Sequence, residues 1–158
     1  GVGYDKIDLA AARAAGVPVA ICQRGSAECV AEFTLLLMLA VSRRLVELHT
    51  SLREGRWLMW ERRLQSHELR GRTLGLVGLG RIGRAVAERA RAFGMEILYH
   101  DCVDVPGYRR TSFDELLAAS DIVSLHLPLT PATHGLMGAA QFAAMRPGAY
   151  PVSYTHLT

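Results

Sequence analysis

Gly78, Gly80 and Gly83, followed 18 residues later by Asp101, form the most chemically informative spacing in this 158-residue chain. The glycines fall in Thr73-Leu-Gly-Leu-Val-Gly-Leu-Gly-Arg-Ile-Gly83, and the acid closes Met95-Glu-Ile-Leu-Tyr-His-Asp101. Residues of these types at this spacing suit a dinucleotide. Gly78 permits a tight turn, Gly80 lets backbone approach a pyrophosphate, and Gly83 lets helix and strand pack closely. The N–H groups at the helix start meet phosphate charge, and the Asp101 carboxylate can accept hydrogen bonds from ribose hydroxyls. Three glycines alone are weak evidence in a chain that has 15 of them. The specificity comes from context: a strand before, a helix after, and an acid at the end of the next strand.

The other reactive side chains offer less. His126 ends a strand in a place where ligands gather, but a histidine there is more often a satisfied strand-end residue. His100, His134 and His156 have weaker claims, and no Ser/His/Asp or metal-ligand arrangement emerges. Cys22, Cys29 and Cys102 lack the paired short spacings of a zinc site and read as small buried or half-buried thiols in a reducing compartment.

The elements that must position the motif alternate between strand and helix. Asp8 is placed to cap a short Ala-rich helix ending at Gly16, and Val17 to Ile21 reads as a brief strand. Ser26 opens a long helix to about Arg53, whose middle (Leu35 to Leu39) is apolar on every face and so must be covered on all sides, within its own chain or against another subunit. Residues 54–70 read as an irregular crossing segment with Trp57 and Trp60 as packing anchors. Thr73 to Val77 is the motif strand, Arg81 to Phe93 its helix, and Met95 to His100 the second strand. Ser112 to Glu115 is a capping box for the next short helix, Ile122 to Leu127 is the third strand, and Ala139 to Met145 the last helix. This alternation predicts an α/β fold of Rossmann type, a doubly wound parallel sheet with the motif strand beside its reversal point.

A length of 158 residues is one domain's worth, and 50% hydrophobic content supports a core. The formal charge of +3 reflects arginines and acids dispersed along the chain, with no basic run interleaved with aromatics, so nucleic-acid binding is not expected. The most apolar run, Phe33 to Val41, is too short to span a membrane, and the expectation is a soluble, cytoplasmic protein.

At this point the residues resemble a known family. Glu68-Leu-Arg-Gly-Arg-Thr-Leu, Gly78-Leu-Gly-Arg-Ile-Gly83 and Phe93-Gly-Met are similar to segments of the D-isomer-specific 2-hydroxyacid dehydrogenases. So are Gly1-Val-Gly-Tyr-Asp-Lys-Ile-Asp8, Val30-Ala-Glu-Phe-Thr-Leu35, Ser120 to Thr130 and Met145-Arg-Pro-Gly-Ala149. The resemblance implies residues 1–22 as the end of a substrate domain and 23–150 as the first half of an NAD-binding domain. It implies pyrophosphate binding by the backbone at Arg81 and Ile82, ribose binding by Asp101, and an adenine side lined by Leu127 and Pro128. The Gly1-Val2-Gly3 turn matches a loop whose Val2 and Gly3 amides hold the substrate carboxylate. The family's catalytic Arg, Glu and His have no counterpart here, so no catalytic residue is assigned and the 158-residue chain by itself is expected to be inactive. Residues 151–158 match none of the family pattern and read as a tail that is not native coding sequence, with Pro151 expected to interrupt a central strand.

The implied activity is NAD-dependent interconversion of a small D-2-hydroxyacid and its 2-oxoacid, of phosphoglycerate, glyoxylate or hydroxypyruvate type. A second class remains open, a non-catalytic NAD-binding corepressor of the same fold. Asp101 would repel a 2′-phosphate and Cys102 and Val103 offer no positive partner, favouring NAD over NADP, while Arg109 and Arg110 further along the loop could swing back to supply a charge. In the family, the helix matching Ser26 to Arg53 helps build a homodimer, which is therefore expected here.

Overall fold

A computed structural model describes residues 6–21 and 27–153. Five parallel strands form one sheet in the order β3-β2-β1-β4-β5. They are β1 (Thr73–Val77), β2 (Glu96–His100), β3 (Arg109–Arg110), β4 (Ile122–Leu125) and β5 (Tyr150–Ser153). β1 pairs with β2 on one side and with β4 on the other, so the chain reverses its direction of travel across the sheet between β1 and β4. That crevice is where ligands bind in open sheets of this kind.

β1 is apolar and buried from Leu74 to Val77 because both of its faces are covered. Leu74 and Leu76 point into a core with Ala85, Val86, Ala87 and Ala90 of α5 (Arg81–Ala92). Val77 joins Leu116 and Leu117 of α6 (Phe113–Ala119) and Val123 on the opposite face. Gly75 belongs to that second face. A Cβ there would stand 2.2 Å from Ser120 Oγ and 2.6 Å from Leu116 Cδ2, so only glycine lets α6 lie this close. α6 starts at the expected capping box: Glu115 N–H donates to Ser112 Oγ and the Ser112 N–H to Glu115 Oε2. The last helix, α7 (Ala139–Ala144), follows on the same side of the sheet, against α6.

Several expectations need correction. The single helix to Arg53 is two, α2 (Ala27–Ser42) and α3 (Leu45–Arg53), separated at Arg43 and Arg44. Arg44 takes a left-handed backbone, φ 53°, which ends the helical ladder and turns the chain. Within the chain α2 is covered on one side: Ala31, Thr34, Leu35 and Met38 are buried, whereas Phe33, Leu36 and Val41 are exposed, which leaves that face to another subunit as the open alternative. Val17 to Ile21 forms no strand and stays exposed, because no described strand lies beside it to complete a ladder. It follows α1 (Leu9–Ala14), which is capped by Asp8 as expected and buries none of its residues.

Trp57 and Trp60 are exposed rather than packed, on a segment that holds the short α4 (Met59–Arg62) and a single 3₁₀ turn. Cys29 and Cys102 are free and exposed, not buried. The two-residue β3 was not foreseen. Pro151 does not interrupt β5, which pairs with β4 on one side only; at an edge, a missing N–H can fall where no ladder bond is needed. The proposed caps and turns at Ser26, Val2 and Gly3, the thiol of Cys22 and the last residues, 154–158, lie outside the described residues.

Candidate dinucleotide site

The site is built at the carboxyl ends of β1, β2 and β4. Gly78 leaves β1 with φ 94°, a conformation that side-chain-bearing residues rarely adopt. Its missing side chain also makes room: a Cβ would stand 2.7 Å from the His126 carbonyl oxygen and 2.9 Å from Leu127 Cδ2. Gly83 serves packing, since a Cβ there would stand 2.3 Å from the Gly78 carbonyl oxygen. Gly80 differs from both. Nothing of the protein lies within 4 Å of where its Cβ would be, and its backbone is extended at φ −70°, ψ −155°. The three roles read from the spacing therefore separate in the structure, with one glycine for the turn, one for the packing and one facing open space.

Gly80 caps α5 without a side chain, and the first helical bond at this end runs from the Arg84 N–H to the Gly80 carbonyl. The Arg81, Ile82 and Gly83 amides thus begin the helix with no acceptor inside it, the arrangement that receives anionic oxygens. Gly80 and Arg81 are exposed, Ile82 half-buried.

Asp101 follows β2 and stands beside this loop. One carboxylate oxygen accepts from the Leu79 N–H at 2.7 Å, the other from the Val103 N–H at 3.1 Å and the Cys102 thiol at 3.3 Å. Burial pushes its pKa up, but these donors, Leu79 foremost, outweigh burial and hold the carboxyl below its ordinary value. Asp101 is therefore an anion tied to the glycine loop. The Leu79 amide is a functional group that the spacing rule does not mention, and only the fold reveals it. The loop after Asp101 is anchored in turn: the Tyr99 hydroxyl accepts from the Val105 N–H at 2.7 Å and donates to Asp104 at 2.9 Å.

Leu127 and Pro128 follow β4 across the crevice. Leu127 is half-buried against the α6 side of the core, and Pro128 is exposed. Thr133 Oγ1 donates to the Pro128 carbonyl at 2.6 Å and receives the Thr130 N–H at 2.8 Å, which fixes the turn. His126 lies between, its N–H donating to the Val77 carbonyl at 2.8 Å and its Nε2 3.0 Å from the buried Ser124 Oγ. Burial lowers its pKa to about 4, so the ring is neutral at neutral pH. Among the described residues no three metal-ligating side chains cluster, and no helix is long and apolar enough to cross a membrane.

A glycine turn, an uncapped helix start, an ionised acid at the neighbouring strand end and a crevice at the sheet's reversal point together define a Rossmann-type dinucleotide-binding unit. The comparison with known proteins narrows this. The family described as "D-isomer specific 2-hydroxyacid dehydrogenase, NAD binding domain" matches residues 35–154, and the chain belongs to it. It is 40% identical over 153 residues to a glyoxylate reductase of Korarchaeum cryptofilum, covering 92% of this chain and 46% of that protein. It is 38% identical over 159 residues to a D-3-phosphoglycerate dehydrogenase of Archaeoglobus fulgidus, covering 97% of this chain and 30% of that protein. A crystal structure of a protein from Thermus thermophilus superposes with a TM-score of 0.90 at 47% identity, over 96% of this chain and 49% of that one. The chain thus spans half or less of the length of these proteins.

Proposed function

We propose that this chain carries the first half of the nucleotide domain of an NAD-dependent oxidoreductase that interconverts a small D-2-hydroxyacid and its 2-oxoacid. Residues 1–22 are assigned to the adjoining substrate domain and 23–150 to the nucleotide domain. The lack of buried residues in α1 supports that boundary.

The observation that carries the reading is Gly80: an open backbone position at an uncapped helix start, with an ionised Asp101 locked to the amide just before it, that of Leu79. In this reading the Arg81 and Ile82 amides hold the pyrophosphate, Asp101 takes the adenosine ribose hydroxyls, and Leu127 and Pro128 cover the adenine. NAD, bound there, supplies a nicotinamide that accepts or donates hydride. Asp101 repels a 2′-phosphate, and Cys102 and Val103 offer no cation, so NAD is preferred over NADP. His126, engaged with Ser124 and the Val77 carbonyl, is assigned to holding the crevice rather than to proton transfer.

The relatives named above bear enzyme titles, which favours an oxidoreductase over a corepressor-like NAD-binding protein. The test is to supply the complete protein with NADH and a series of 2-oxoacids, including glyoxylate, hydroxypyruvate and phosphohydroxypyruvate, and follow NADH absorbance. Binding of NAD without turnover of any 2-oxoacid would refute the enzymatic reading and leave the corepressor-like one standing.

We further propose a homodimer through α2 and the segment beyond it. Phe33, Leu36 and Val41 are exposed on α2, as are Leu45, Val46, Leu52, Trp57 and Trp60 further along. Apolar side chains exposed over a contiguous stretch are the usual mark of a subunit contact, and two-fold pairing is its commonest form.

A further inference from the structure

The Asp101 backbone carries a contact that plays no part in the reading above. Arg110, on the edge strand β3 and in register with Tyr99, donates from Nη2 to the Asp101 carbonyl oxygen at 2.6 Å. The guanidinium is thereby held beside the residue assigned to the ribose. Among the described residues no carboxylate lies within ion-pair distance of Arg110. Its charge has no carboxylate partner among them. An open surface depression lies against it, lined by His100, Arg110, Thr111, Ser112 and Glu115. The one acid in that lining, Glu115, is turned to the Ser112 N–H and hydroxyl at 3.1 and 2.9 Å.

We propose that Arg110 is a cofactor-specificity residue: it is the cation that receives a ribose 2′-phosphate, and Asp101 is the anion that opposes it. The proposal rests on Asp101 being the ribose ligand. The chemistry is that of a planar guanidinium, whose fixed fork of donors matches a phosphate, against a carboxylate that accepts the unphosphorylated hydroxyls. Arg110 lies on β3 and Asp101 just after β2, and the guanidinium meets the Asp101 backbone carbonyl. The site therefore stands one carboxylate away from accepting NADP, and the preference for NAD is the outcome of this opposition.

The test measures NAD and NADP dissociation constants by calorimetry on the complete protein and on Asp101→Asn, Arg110→Gln, Arg110→Lys and the Asp101→Asn/Arg110→Gln pair. Asp101→Asn is expected to weaken NAD and tighten NADP. Adding Arg110→Gln should then remove the gain, with NADP weakened about tenfold or more, the size of a lost hydrogen bond to a charged group. Arg110→Gln alone should weaken NADP by a similar factor and change NAD less than about threefold, and Arg110→Lys should retain part of the NADP binding. Arg110 is exposed, so the variants changed at Arg110 alone should melt as the parent does. Equal loss of NAD and NADP on Arg110→Gln would overturn the proposal, because it would make Arg110 a mere prop for the loop. Unchanged NADP binding in both backgrounds would overturn it as well. Failure of the parent protein to bind either dinucleotide would instead sink the reading of the site itself.

Discussion

Alanine at Gly83 and alanine at Gly80 should fail in opposite ways, although the two glycines are three residues apart in one motif. At Gly83 the new methyl would stand 2.3 Å from the Gly78 carbonyl oxygen, which is backbone and cannot swing aside. The start of α5 must then move away from the end of β1. Forcing an extra carbon into a packed site costs about 1–3 kcal/mol, and the offset from better helix propensity, under about 1 kcal/mol, is smaller in a first turn. For a domain of this size that corresponds to a fall in Tm of roughly 3–10 °C. At Gly80 nothing lies within 4 Å of the methyl and the backbone is extended, so Tm should stay within about 2 °C of the parent. The same methyl, however, would occupy the approach of the pyrophosphate, weakening NAD by about tenfold or more. Differential scanning calorimetry without cofactor, followed by NAD titration, checks both on the complete protein. If Gly80→Ala lowers Tm as far as Gly83→Ala, or if it binds NAD as the parent does, the division of roles between the two glycines is wrong.

Two further outcomes follow from burial. His126 has a folded pKa of about 4, below the ordinary histidine value of 6.5, so the unfolded chain binds the extra proton first as pH falls. Its contribution to stability is thus complete above about pH 6.5 and declines towards pH 4, by about 3 kcal/mol in all; His126→Asn should flatten that part of the stability–pH curve, and an unchanged slope in chemical denaturation would refute the assignment. On α2, Leu36→Glu places a charge on an exposed position and should give a folded monomer in light scattering, whereas Met38→Glu buries one at a position with no exposure and should unfold the domain. A folded dimer carrying Leu36→Glu would remove α2 from the interface.

The sequence alone determined the elements around the motif. β1 occupies Thr73–Val77, as its apolar run and the glycine after it require, and α6 begins at the Ser112 capping box. Gly94, with φ 75°, follows α5 where a left-handed residue is needed. These are local matters, settled by turn stereochemistry, capping and hydrophobic period within a few residues. The placing of the motif strand beside the reversal point also followed from sequence, because parallel strands joined by right-handed crossovers admit few arrangements.

Tertiary structure decided what depends on partners distant in the chain. The apolar middle of α2 carries no mark of which face α5 covers; packing buries Met38 and leaves Leu36 out. Val17 to Ile21 has the composition of a strand but no described neighbour to pair with, and a strand exists only in its ladder. The two residues of β3 are too few to show a period, and pairing with β2 alone makes them a strand. Gly75 looked like any strand residue until α6 lay against it. Spacing placed Asp101 at the site, but it could not show that the Leu79 amide holds its carboxylate and that Arg110 holds its backbone carbonyl. Those contacts span 22 and 9 residues, and only the assembled sheet brings the groups together.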